Sequence, residues 1–185
     1  DTILVHAAAG GMGLILCQWA KALGAKVVGT VSTHEKADVA RAAGCHYPVV
    51  RSEQSFVDVV REVTDGEGCA VVYEAIGKDT LQHSLDSLRP MGVCAAYGHV
   101  SGPPDPVDII QDLGRRGSLF ITRPAIMHYV AKRADLEWTA RDLFKAIGDG
   151  LLEANINYEY ALKDAVKAHE AIESGKTLGA TVLIP

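Results

Sequence analysis

Short apolar runs alternate along this chain with stretches in which apolar residues recur every three or four positions. Thr2–His6, Lys26–Val31, Tyr47–Val50, Ala70–Tyr73, Val93–Tyr97 and Ser118–Thr122 are mostly apolar and short, which predicts six strands. Met12, Ile15, Leu16, Trp19, Ala20 and Leu23 share one helical face, and Gly24 stops that helix. Ser32-Thr33-His34-Glu35 has the form of a capping box and opens a second helix that Gly44 closes. Phe56, Val59, Val60 and Val63 mark a third helix with Ser52 as its N-cap. Leu81, Leu85 and Leu88 line a fourth that Pro90 ends, and a short helix near Asp108–Leu113 precedes the sixth strand. Strands apolar on both faces and joined by helices imply a parallel sheet covered on both sides. Right-handed crossovers then leave a doubly wound α/β fold with strand order 3-2-1-4-5-6.

After residue 123 the rhythm changes. Leu136, Ala140, Leu143, Phe144 and Ile147 form an amphipathic helix that Gly148-Asp149-Gly150 breaks. Beyond it the pattern reads as a strand at Tyr158–Leu162, a helix at Asp164–Ser174 and a final strand at Ala180–Ile184. The division expected is a dinucleotide-binding domain over 1–150 and a separate segment over 151–185. The chain starts inside a strand and without Met, which reads as a domain whose earlier part is missing.

Composition narrows the function. Eighteen Lys and Arg stand against 23 Asp and Glu, for a net charge of −5, which argues against a nucleic-acid partner, because binding the phosphate backbone needs a basic surplus. No apolar run approaches the roughly 20 residues of a membrane span, so no membrane partner is expected. The four cysteines, Cys17, Cys45, Cys69 and Cys94, lie far apart with no CxxC or CxxH pair, so no metal site is expected. They read as buried free thiols, which suit a reducing, cytoplasmic setting.

Chemistry concentrates between the first strand and first helix. Ala8-Ala9-Gly10-Gly11-Met12-Gly13 supplies Ala8, Gly10 and Gly13 to the frame G-x-G-x-x-G. Gly10 lets a pyrophosphate approach the backbone, Gly13 lets the helix pack on the sheet, and the helix N-terminus offers free amides to an anion. The alternative is a tight turn that binds nothing. An NAD site carries an acid about 20 residues on, to hold the ribose 2′-hydroxyl. Here Val28-Gly29-Thr30-Val31-Ser32-Thr33 has none, while Ser32, Lys36 and Arg51 are available for a 2′-phosphate, which favours NADPH. Lys36 and Arg51 as plain solvated charges remain the bland alternative.

Val5–Gly13, Cys17–Ala25, Glu74–Gly77, Tyr97–His99, Gly117–Pro124 and Leu162–Gly179 together resemble the NADPH-dependent quinone oxidoreductases. These are a zinc-free branch of the medium-chain dehydrogenase/reductase superfamily that includes zeta-crystallin. The resemblance implies a Rossmann domain in which Gly10, Gly11 and Met12, flanked by Ala9 and Gly13, meet the pyrophosphate. Lys36 matches the family's phosphate-binding lysine, and Arg51 falls where close relatives have a tyrosine. Ile76 and Gly77 would lie by the adenosine half; Gly98, and His99 in place of a common Asn, by the nicotinamide half. Ile121 and Thr122 would approach the carboxamide, and Lys176 lies beside a position that reaches the cofactor. No catalytic acid or base is implied. The substrate would be a quinone or enone, with an enoyl reductase or a non-catalytic NADPH-binding module as alternatives. The resemblance also implies an N-terminal catalytic domain, to which the tail from about Glu153 belongs, and a homodimer paired through the sixth strand.

Overall fold

A computed structural model describes all residues from Asp1 to Pro185. Strands β1 (Thr2–Val5), β2 (Lys26–Val31), β3 (Tyr47–Val50), β4 (Cys69–Glu74), β5 (Leu88–Ala96) and β6 (Phe120–Thr122) form one sheet. Its order is β3-β2-β1-β4-β5-β6, parallel throughout, as the alternation of elements predicts. Helices α1 (Gly11–Ala22), α2 (His34–Ala42), α3 (Phe56–Val63) and α4 (Leu81–Asp86) are the crossovers, and a π-helical turn at Ile109–Gly114 leads into β6. Successive strand residues point to opposite faces. Leu4, Val28, Val72 and Cys94 therefore join Phe56, Val60 and Leu85 of α3 and α4 in one core. Ile3, Val5, Val27 and Val31 join Cys17, Ala37 and Ala40 of α1 and α2 in the other. Both faces are dry, which is why the strands read as apolar runs rather than as alternating ones.

Element boundaries differ from the sequence reading where local hydrogen bonding decides them. The strand ends at Val31 and Thr33 is itself extended (φ −146°), so Thr33 rather than Ser32 caps α2, its Oγ1 accepting from the Lys36 amide at 3.2 Å. A turn in which the Glu53 and Gln54 amides both bond to the Val50 carbonyl delays α3. Its cap is Ser55, which accepts from the Asp58 amide, and not Ser52. Pro90 does not end α4. The helix closes at Asp86, and Pro90 lies in β5, where the register against β4 shifts and Met91 takes a left-handed φ of 60°. An irregular stretch is where a strand tolerates a residue without an amide hydrogen.

Beyond β6 come α5 (Ile126–Tyr129), α6 (Arg133–Gly148), β7 (Ile156–Ala161), a 3-10 turn at Leu162–Asp164, α7 (Ala165–Glu173) and β8 (Ala180–Ile184). β7 and β8 pair in parallel as a separate ribbon. The tail is anchored to the six-stranded half: Gln18 exchanges hydrogen bonds with the Glu153 backbone, and the Gly179 amide donates to the Ala9 carbonyl at 3.0 Å. The amphipathic face of α6 is not covered by this chain. Only Ala146 of that helix is buried, and Trp138 and Phe144 are 63% and 69% exposed.

Gly13 sets the approach of α1 to β1. A Cβ there would lie 2.2 Å from the Ala7 carbonyl oxygen and 2.7 Å from Ala8 backbone atoms, which cannot move aside. Gly13→Ala is expected to lower unfolding free energy by about 1–3 kcal/mol, the usual range for overpacking. Gly148→Ala, with no atom near its added methyl, is expected to be neutral or to stabilise by about 0.5–1 kcal/mol. Urea unfolding of the two variants beside the parent checks both.

Candidate functional site

The carboxyl ends of β1, β2 and β4 open into a cleft of about 330 Å³. In a doubly wound sheet this is the crevice where neighbouring crossovers diverge, and here the end of β2, the loops after the strands and Lys36 of α2 line it. The turn after β1 forms its floor. Ala7 takes the left-handed conformation (φ 51°) and Gly10 caps α1 with its own backbone. Ala8, in the place of the first motif glycine, keeps an ordinary backbone angle and is fully buried. The amides of Met12 and Gly13 have no backbone acceptor, Gly10 forms an isolated parallel bridge with Gly179 that turns the Gly11 amide toward the Gly179 carbonyl, and no acidic side chain lies in the first turn of α1. That turn therefore presents a partial positive charge without a carboxylate to neutralise it.

Six of the sequence-predicted residues line this one cleft: Ala9, Gly10, Ser32, Lys36, Arg51 and Ile76. Neither Lys36 nor Arg51 has a carboxylate within salt-bridge distance, although seven Lys–carboxylate or Arg–carboxylate pairs form elsewhere. The Lys36 ammonium donates instead to the Gly175 carbonyl at 2.6 Å, which draws the tail over the cleft. Gly175 and Thr177 line that side, while Lys176 between them does not. Gly11 meets the tail too, since a Cβ on it would come 3.2 Å from the Gly179 oxygen. Gly77 packs on His99: its Cβ position is 2.9 Å from the His99 Cα, so the loops after β4 and β5 touch there. Gly98 sits on the Ala75 backbone. Ile121 and Thr122 pair with Cys94 and Ala95 farther along the same edge of the sheet, and Met12 is exposed beside the turn.

Beneath the cleft lies a polar cluster that the sequence reading missed. His6, Thr30, Glu74, Thr80 and Ser84 are all 0–2% exposed. His6 Nδ1 meets Thr30 Oγ1 at 2.8 Å, and His6 Nε2 meets Ser84 Oγ at 2.9 Å. Ser84 donates to Glu74 Oε2 at 2.5 Å, and Thr80 donates to both oxygens of that carboxylate. The sequence signal was a polar residue inside or just after each of three apolar strands, at His6, Thr30 and Glu74. Isolated polar residues there are expected to pair with one another.

These residues do not assemble a metal site. No three His, Cys, Asp or Glu side chains come together as ligands. All four cysteines are free and buried, and burial pushes Cys69 and Cys94 up to about 12, so they remain thiols. No helix is long and apolar enough to cross a membrane.

A family profile described as zinc-binding dehydrogenase matches residues 11–137. The 2-haloacrylate reductase of a Burkholderia species is 52% identical across the whole chain, which covers 56% of that protein. The quinone oxidoreductase of Salmonella typhimurium is 44% identical over 187 residues, with 57% of its length covered. Among solved structures, Escherichia coli quinone oxidoreductase complexed with NADPH superposes with a TM-score of 0.94 at 42% identity, again over the whole chain and 57% of that protein. The chain thus spans a little over half the length of these relatives.

Burial holds His6 down to about 4 from an ordinary 6.5; the nearby Glu74 charge opposes the shift and Arg51 reinforces it. Between these values the unfolded chain binds the imidazole proton and the folded chain does not. Stability contributed by neutral His6 is therefore complete above pH 6.5 and is lost as pH falls toward 4, by about 2 kcal/mol at pH 5. Urea unfolding from pH 7 to 4.5 is expected to show this loss, and His6→Gln to remove that part of the slope.

Proposed function

The chain belongs to the zinc-binding dehydrogenase family, and on that footing we propose that it is the NADPH-binding part of a reductase that passes hydride to a quinone or to an alkene conjugated to a carbonyl. One observation carries the reading: Lys36 and Arg51, two cations without carboxylate partners, share a cleft wall with Ser32 at the strand end where an NAD site holds an acid. Charge-assisted bonds from this pair suit a 2′-phosphate. Ala9, Gly10, Gly11, Met12 and Gly13 would face the pyrophosphate with the open amides of α1. Ile76 and Gly77 would flank the adenosine half; Gly98, His99, Ile121 and Thr122 the nicotinamide half; Lys176 would reach in from the tail. When bound, the reduced nicotinamide supplies the hydride. The residues of this chain bind, orient and exclude water, and none of them is assigned as an acid or base. The zinc in the family's description finds no donor set among the residues of this chain.

A 2-haloacrylate reductase and quinone oxidoreductases among the relatives favour an electrophilic π system conjugated to a carbonyl as the acceptor. Residues 1–150 are read as the cofactor domain. Residues 151–185, with the uncovered face of α6, are read as docking onto a catalytic domain elsewhere in the protein. β6 is hydrogen-bonded on one side only and exposes 60% of Phe120, which supports pairing with a second copy about a two-fold axis. The buried free thiols fit the cytoplasm.

Lys36→Ala is expected to weaken NADPH binding about tenfold or more, the loss of one charge-assisted contact, and to leave NADH nearly unchanged. Equal losses for both cofactors in a fluorescence titration would overturn the assignment. Phe120→Lys and Phe120→Pro are each expected to shift a dimer toward monomer by light scattering. A dimer that tolerates both has its interface elsewhere.

A further inference from the structure

The buried cluster has a direction that its chemistry fixes. A carboxylate only accepts, so Ser84 must spend its one hydroxyl proton on Glu74 Oε2. The Ser84 oxygen then accepts from His6, which places the imidazole proton on Nε2. His6 Nδ1 is left to accept from the Thr30 hydroxyl. Protons therefore point one way along the relay, Thr30 to His6 to Ser84 to Glu74, and its far end, Thr30, lines the cleft.

Glu74 also holds the loops that close the cleft. Its Oε1 accepts from the Ile76 and Gly77 amides at 2.7 and 3.1 Å, and its main-chain carbonyl accepts from the Tyr97 and Gly98 amides at 2.9 and 3.2 Å. The loops after β4 and β5 are then sewn together, with the Val100 amide on the Ala75 carbonyl and the Ser101 amide on the Ile76 carbonyl. No Lys or Arg pairs with this carboxylate; backbone amides and hydroxyls satisfy it, with His6 Nε2 at 3.4 Å.

We propose that Glu74 is a positioning residue for the cofactor cleft, its carboxylate holding the Ile76–Gly77 loop and setting the proton order of the relay that ends at Thr30. The proposal rests on the NADPH reading above. Glu74→Gln keeps the shape and changes the chemistry. Its amide oxygen still takes the Ile76 and Gly77 amides, more weakly than a charged group does, and its NH₂ must donate to Ser84. The relay then reverses, and the His6 proton moves to Nδ1.

The test combines long-range ¹H–¹⁵N correlation spectra of His6, which distinguish the tautomers, with NADPH titration and thermal melts of the whole protein. The parent is expected to show the Nε2–H tautomer. Glu74→Gln is expected to show Nδ1–H, with NADPH affinity down about fivefold or more. An unmoved tautomer, or a moved one with parental affinity, would overturn the proposal. A parent that binds no NADPH while the tautomer still switches sinks the cofactor reading and, with it, the cleft role, but not the relay order. Should Glu74→Gln not fold, Thr80→Val removes one donor from both carboxylate oxygens and leaves the relay in place. There, a two- to fivefold weaker NADPH affinity with an unchanged tautomer is expected, and unchanged affinity overturns the proposal.

Discussion

The contact on which the site depends is backbone against backbone: Gly13 of α1 lying on Ala7 and Ala8 with no side chain between them. That approach leaves the first turn of α1 pointing its free amides along the carboxyl edge of the sheet. With a longer separation, α1 would tilt away, the amides of Gly11 to Gly13 would face bulk water, and Gly11 would lose its contact with the Gly179 backbone. The left-handed Ala7 is part of the same arrangement, because the turn must reverse within a few residues to bring the helix back onto the strand it follows.

Charge in this protein is distributed by the same geometry. Exposed acids and bases pair locally, as in Arg133 with Glu137 and Arg41 with Asp38, and such pairs contribute little. The two cleft cations, Lys36 of α2 and Arg51 just after β3, have no carboxylate within salt-bridge distance. The buried anion Glu74 is their counterpart in isolation, satisfied by oriented dipoles instead of a cation. Positive charge at the surface of the cleft and negative charge beneath it stay separate because hydroxyls and an uncharged imidazole fill the space between Thr30 and Ser84.

Much of this was legible along the chain. Runs such as Lys26–Val31 and Tyr47–Val50 are bounded by glycine or a cap and have no polar face, so strand type and sheet order followed from sterics and handedness. Lys36 and Arg51 were readable because an expected acid was missing beside them. What escaped depended on tertiary contact. The caps moved from Ser32 to Thr33 and from Ser52 to Ser55 because turns outside the helices decide where a helix can start. The relay joins positions 6, 30, 74 and 84, and no local pattern encodes a partnership that only strand order creates. The tail's hold on the cleft was equally invisible, since Gly175 offers a carbonyl that any residue would have.

The Lys36–Gly175 contact spans 139 residues of chain. Closing so long a loop costs entropy that only many simultaneous contacts offset, so such contacts form late on a folding route. The sheet and its two cores rest on shorter crossovers and can assemble first, with the glycine turn in place but roofless. The binding cleft is thus a late product of folding rather than a seed for it. Mutations around Gly175–Gly179 should act mainly on how fast a native molecule comes apart, and hardly at all on how fast its sheet forms.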